Sequence, residues 1–357
     1  MIRKIVACLF SIAMLSLTSI VIFGQSDGDV TYPVINAENI SRLQPVMTID
    51  FADLPDDLVP FGAVEFDSGA FATTSDASLF AVVSNRNEVL LLDQSGEVAG
   101  LVWTVNYDLL DIAFDATDEH FFVLAYNRGQ IILTKDRVDL SRGIQRNFEI
   151  DGFPQRIWSN DNDEVFVEIS DAQTFIAQLD LDAETYESLP YAPEQDREAV
   201  VRIGRIPAPY VVTSSNDGEI KLWNLETSVV EATAQVDNGP AVFGQLNADA
   251  SHLAWRDPMS QALYVLDFAT GNNQFVAELN GDYVQYFFLT EDADIVIAAH
   301  IEDRPEVIAW NVETGEQYQL GQHRECGRVP DLIWLSEDGT TLVVGCDSGL
   351  QLWRIVE

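Results

Sequence analysis

The chain has 357 residues, 47% of them hydrophobic, and carries 58 Asp+Glu against 19 Lys+Arg, a net charge of −39. Such a charge excludes nucleic acid and anionic membrane surfaces as partners, because both repel it. The acids are spread along the chain and not blocked into a tail, which fits a solvated, self-repelling surface on either one large all-β unit or two or three ordinary domains.

Arg3 and Lys4 precede an apolar run from Ile5 to Phe23. A charged start followed by such a run reads as an export signal, and its 19 residues also suffice to span a bilayer. Two outcomes stay open for residues 1–24: a cleaved signal peptide or a retained membrane anchor. Cys8 has almost no hydrophobic segment before it, so a lipid attachment there is not expected. The next part, residues 25–50, is read as a linker and a strand. Asn36 is placed to cap a brief helical turn through Ser41, and Pro45 to Ile49 reads as a strand standing alone. Asn39-Ile40-Ser41 has the form of a glycosylation sequon.

From residue 51 onward the chain repeats. Third strands ending in a large residue followed by Asp, Asn or Arg recur at Leu92, Leu179, Trp223, Leu266, Trp310 and Trp353, at spacings of 87, 44, 43, 44 and 43. Gln130 to Thr134 fills the skipped unit, which makes seven units. Unit one reads as strands at Ala70–Thr74, Ser78–Ser84, Val89–Asp93 and Val98–Thr104. Unit four carries the least eroded copy, Thr213 to Glu226, in which Asn216-Asp217-Gly218 turns between two strands. Unit six has Tyr283–Leu289, Asp294–Ala299, Val307–Val312 and Glu316–Leu320. Unit seven has Asp331–Leu335, Thr341–Gly345 and Leu350–Ile355. Runs such as Ile295 to Ala299 are apolar on both parities, as sheets covered on both faces require.

The period, the four-strand units, the S-x-D-G turn at Ser336 to Gly339 and the tryptophan closing the third strand resemble the WD40-repeat β-propellers. The likeness covers roughly residues 60–357. It implies an all-β fold: a seven-bladed β-propeller of four-stranded antiparallel blades, residues 51–357, closed by an N-terminal strand that completes the last blade. Pro45–Ile49 is the strand expected beside Leu350–Ile355. Two departures stand out: no Gly-His pair opens a unit, and Trp-Asp is replaced by Trp-Asn at 223–224 and 310–311. The blades are therefore expected to rely on apolar packing, as in degenerate propellers of exported bacterial proteins.

Beyond the N-terminal segment two cysteines remain, Cys326 and Cys346. An even pair in an exported chain suggests a disulfide. On the propeller reading both lie at one end of the last blade, and closing a loop of about 20 residues contributes roughly 3 kcal/mol. Two free buried thiols are the alternative.

No G-x-S-x-G, P-loop, G-x-G-x-x-G or H-E-x-x-H pattern is present. The acidic runs 115–119 and 161–164 fall in strand-one to strand-two turns and lack calcium-loop spacing, so they read as turns. His120 and His252 open second strands. His300 and His323 fall at the other end, near Cys326, where a metal cluster competes with the disulfide. No cofactor is expected. The loops between units hold Tyr107, Arg156, Arg197, Asp282, His323, Arg324 and Arg328, a binding face on which the arginines could collect an anionic group. The sequence thus reads as an exported, secreted, periplasmic or cell-surface, monomeric binding module without catalysis, whose partner is an unnamed protein or extracellular ligand and whose membrane contact is limited to the N-terminal segment. The alternative is a propeller hydrolase or lyase with a central-channel site.

Overall fold

A computed structural model describes residues 32–356 apart from 55–70, 84–87, 104–107, 116, 128–129, 138–143, 150–151, 161–163, 171–173, 189–197, 201–209, 216, 228, 237–240, 280–286, 301–305, 323–329, 337 and 347–348. Residues 32–357 form one compact unit. It is a β-propeller of four-stranded antiparallel sheets. Among the described residues seven such sheets are found, and in six of them the strands pair in sequence order, within residues 71–103, 108–148, 153–188, 198–235, 242–278 and 287–322.

In the seventh sheet the order is Leu43–Asp50, Gly349–Ile355, Thr341–Cys346 and Pro330–Leu335. The strand expected at Pro45–Ile49 is longer and pairs antiparallel with Gly349–Ile355, from Leu43 opposite Ile355 to Asp50 opposite Gly349. The register slips between Pro45 and Met47, where proline has no N–H to give the ladder. At the other end Gly349 admits a close approach: a Cβ there would lie 2.0 Å from the Ile49 carbonyl oxygen.

Burial falls from the middle of each sheet outward. Leu79–Val83 and Gly349–Ile355 are buried along their whole length, which explains apolar residues on both parities. The outer strand Thr185–Ser188 is exposed throughout, and Val229–Gln235 nearly so. The apolar side chains gather in clusters between sheets. Phe71, Phe80 and Leu90 of the first sheet meet Val343 and Leu352 of the seventh. Ala81 and Leu91 meet Phe121 and Val123 of the second, whose Phe122 and Leu124 meet Val165 and Val167 of the third. Similar clusters join the third to the fourth, the fourth to the fifth, the fifth to the sixth and the sixth to the seventh. Between neighbouring sheets, burying apolar surface at roughly 25 cal/mol per Å2 holds the stack.

A strap precedes this stack. Asn36 caps its turn as expected, its side chain accepting from the Glu38 N–H, but the short 3-10 helix lies further on, at Ile40–Arg42. Ile35, Ile40 and Leu43 sink into the cluster between the sixth and seventh sheets. Ile35 N–H donates to the Gly339 carbonyl, Ala37 N–H to the Asp294 carboxylate, and the Arg354 guanidinium lies 4.3 Å over the Tyr32 ring. Asn39 of the sequon is buried, its amide donating to the Val34 carbonyl, so it is closed to glycosylation in the folded chain. Among the described residues no helix is long and apolar enough to cross a membrane. Residues 1–24, with Cys8, lie outside the described residues.

Candidate functional site

The two ends of the sheets differ in chemistry. At one end lie the turns from first to second strand, all built alike. In each, the residue ending the first strand turns its side chain back to accept from a backbone N–H four or five residues on. Thr74 accepts from Leu79, Asp115 from His120, Asn160 from Glu164, Asn247 from His252, Thr290 from Ile295 and Ser336 from Thr341, at 2.9–3.1 Å, while the corresponding turn of the fourth sheet lies outside the described residues. In five of these turns the residue three further on is left-handed: Ala77, Asp118, Ala250, Ala293 and Gly339, with φ from 54° to 67°. At the opposite end, the second-to-third strand turn of the fourth sheet is built in the same way, Ser215 accepting from the Glu219 N–H, and its Gly218 has no alternative, since a Cβ there would lie 2.1 Å from the Val236 oxygen. The three alanines are buried, so methyl burial offsets a left-handed cost of about 1–2 kcal/mol.

These acids serve the turns. Asp249 accepts from the Asn247 amide and the Ser251 N–H. Burial raises its pKa, but hydrogen bonds led by Ser251 overcome this and hold it below the usual range. Asp118 reaches back to the first sheet and accepts from the N–H and hydroxyl of Ser75. The Asn247 amide donates to the Glu291 carbonyl of the sixth sheet, and that of Asn160 to Glu226 of the fourth. His120 and His252 lie at this end, as expected, each starting a second strand and each bonded through Nδ1: to Asp115 at 2.8 Å and to the Ser251 hydroxyl at 2.7 Å. The turn reading of the run 115–119 therefore stands for its described members.

The opposite end carries the loops between sheets. Tyr107, Arg197, Asp282, His323, Arg324, Arg328 and Cys326 lie outside the described residues. Cys346 and His300 end second strands at this end. Arg156 is described, half-buried in the first strand of the third sheet, Phe153–Ser159, directly across from Glu168. Its charge also acts on Asp111, a buried aspartate in the first strand of the second sheet, Asp108–Phe114. Arg156 thus sits among carboxylates, which reduces its pull on an outside anion.

Sequence reasoning missed Asp111. Its carboxylate crosses the seam between the sheets: Oδ2 accepts from the Ile157 N–H at 2.8 Å and Oδ1 from the Ile112 N–H at 2.9 Å. Burial above all, with a smaller push from Glu168, raises its pKa to about 7, against the opposing pull of the two N–H groups and Arg156. An acid inside the otherwise apolar run Leu109–Phe114 was the available signal. Nearby, the exposed Phe153 ring stands edge-on to Tyr126 at 5.1 Å. In the fifth sheet, Met259 protrudes 84% exposed from a turn whose N–H and hydroxyl groups bind the Asp257 carboxylate. Among the described residues no group of three His, Cys, Asp or Glu side chains is placed to hold a metal.

No known family's sequence profile matches the chain, and no curated protein matches it in sequence. In structure it is similar to the β-propeller domain of Cps50 (Swd1) from Myceliophteria thermophila, with a TM-score of 0.59 and 11% identity over 81% of this chain and 96% of that one. The fold is therefore that of a β-propeller domain.

Proposed function

We propose that this chain is an exported, non-catalytic interaction scaffold: a single closed ring of seven blades that recognises a protein through the face carrying its inter-sheet loops. The observation that carries the reading is the asymmetry between the two ends. Turn side chains on one face are spent on their own turns and on neighbouring sheets. The other face combines the inter-sheet loops with the exposed Phe153 and Met259, the kind of anchors that protein interfaces bury. The apolar cluster between the first and seventh sheets and the Leu43–Asp50 strand support ring closure. The charge of −39 favours a partner of net positive charge. On this reading Tyr107, Arg156, Arg197, Asp282, His323, Arg324 and Arg328 belong to the recognition face, and Cys326–Cys346 is a disulfide suited to an oxidising compartment.

Affinity capture from the native extracellular fraction tests this. A partner should be retained by the wild type and by a turn-face variant such as Asp338→Asn, and lost from a Phe153→Ala, Met259→Ala double variant. Equal retention by all three would refute a role for the loop face.

A further inference from the structure

The seam between the second and third sheets is built unlike the others described. Its first strands are the inner edges of their sheets, and an edge leaves backbone N–H groups without a ladder partner. Both strands are bulged here, between Leu109 and Asp111 and between Pro154 and Arg156. Just past the second bulge the Ile157 N–H finds its acceptor across the seam, in the Asp111 carboxylate. Carboxylates bridge other seams from half-buried turns, as Asp118 does to Ser75, whereas this joint places a buried titratable group between two strands. Among the described residues the charged groups facing Asp111 are Arg156 on the adjoining first strand and Glu168 on the second strand of the third sheet. Leu124, opposite Asp111 in its own sheet, is uncharged, and so is the first strand of the first sheet, Phe71–Thr73.

We propose that Asp111 is a proton-operated latch, and that the grip of the second sheet on the third changes when its carboxyl gains or loses a proton. The folded value of about 7 lies above the ordinary 3.8, so the closed seam binds the proton more tightly than an opened, hydrated one. Closure is then strongest below 3.8, weakens as pH rises from 3.8 to about 7, and levels off above that. Opening the seam hydrates the carboxylate and relieves its burial beside Glu168. The latch lies midway along both first strands, each of which an inter-sheet loop precedes.

Amide hydrogen exchange on the full chain tests this without any partner. Protection of the Ile157 amide, corrected for intrinsic rates and referred to the Ile297 amide, should fall about tenfold per pH unit between pH 5 and 7 and then plateau. Asp111→Asn should abolish the step. Glu168→Gln should move the plateau to lower pH, since it removes a like charge, and this variant decides the matter if Asp111→Asn does not fold. Protection at Ile157 that stays flat from pH 5 to 8, or a plateau that Glu168→Gln leaves in place or raises, would overturn the latch.

Discussion

The indole N–H of Trp223 donates to the Thr213 hydroxyl at 3.0 Å, whereas the buried Trp353 N–H has no partner among the described residues. The registers explain the difference. Trp223 pairs with Val211 and reaches the hydroxyl two residues on; Trp353 pairs with Leu342, and two residues on stands Val344. The fourth unit thus offers its ring a hydroxyl that the seventh lacks. Supplying it in Val344→Thr should be neutral or stabilising by up to about 1 kcal/mol, because the hydroxyl meets a waiting donor. Val343→Thr, equally buried but without that donor, should cost about 1–3 kcal/mol. Urea denaturation of both variants checks the pair, and equal losses would contradict it. The sequence marked these tryptophans as packing residues, which holds for Trp353 and is incomplete for Trp223. Asp111 stayed illegible for a related reason. Spacing says which strands are equivalent, but a bond from Asp111 to Ile157, 46 residues away, depends on two local bulges that no periodicity reports.

Strands were the legible level. Third strands recur every 43 or 44 residues because each unit must present the same apolar ladder to its neighbours, and each such marker falls in or at the end of a strand. The turns were legible too, since a polar side chain that caps the turn and a residue tolerant of positive φ are chemical demands at fixed positions. The second and third units were hard to bound because their outer strands carry little apolar signal: Ile144–Phe148 and Thr185–Ser188 are mostly polar, and the latter is exposed throughout. The Leu43–Asp50 strand is the element on which the proposed ring closure rests. Its residues Leu43 and Ile49 enter two different clusters, Leu43 between the sixth and seventh sheets and Ile49 between the seventh and first. One strand therefore fastens the seventh sheet to both of its neighbours. The loop face was legible only as a set of candidates, because recognition depends on loop conformation and not on the repeat.

At the scale of the whole molecule, the chain carries 58 acids against 19 bases, and self-repulsion opposes compaction. Raising salt from about 0.01 to 0.15 M shortens the screening length from roughly 30 to 8 Å and should raise Tm by several degrees. A Tm that stays constant or falls, by calorimetry, would count against an acid-dominated surface. The acid limit has a different origin. Asp267, bonded by the Thr270 hydroxyl, and Asp249 both titrate below their usual value, so their contribution is complete above 3.8 and is lost as pH falls below it. The central claim is that residues 32–50 close the ring by completing the seventh sheet. The most direct measurement is the melting temperature of a variant lacking these residues, with and without a synthetic peptide of residues 32–54. The account predicts a drop of more than about 10 °C that the peptide restores in a concentration-dependent way. A truncated protein that melts like the full chain, unmoved by the peptide, would contradict it.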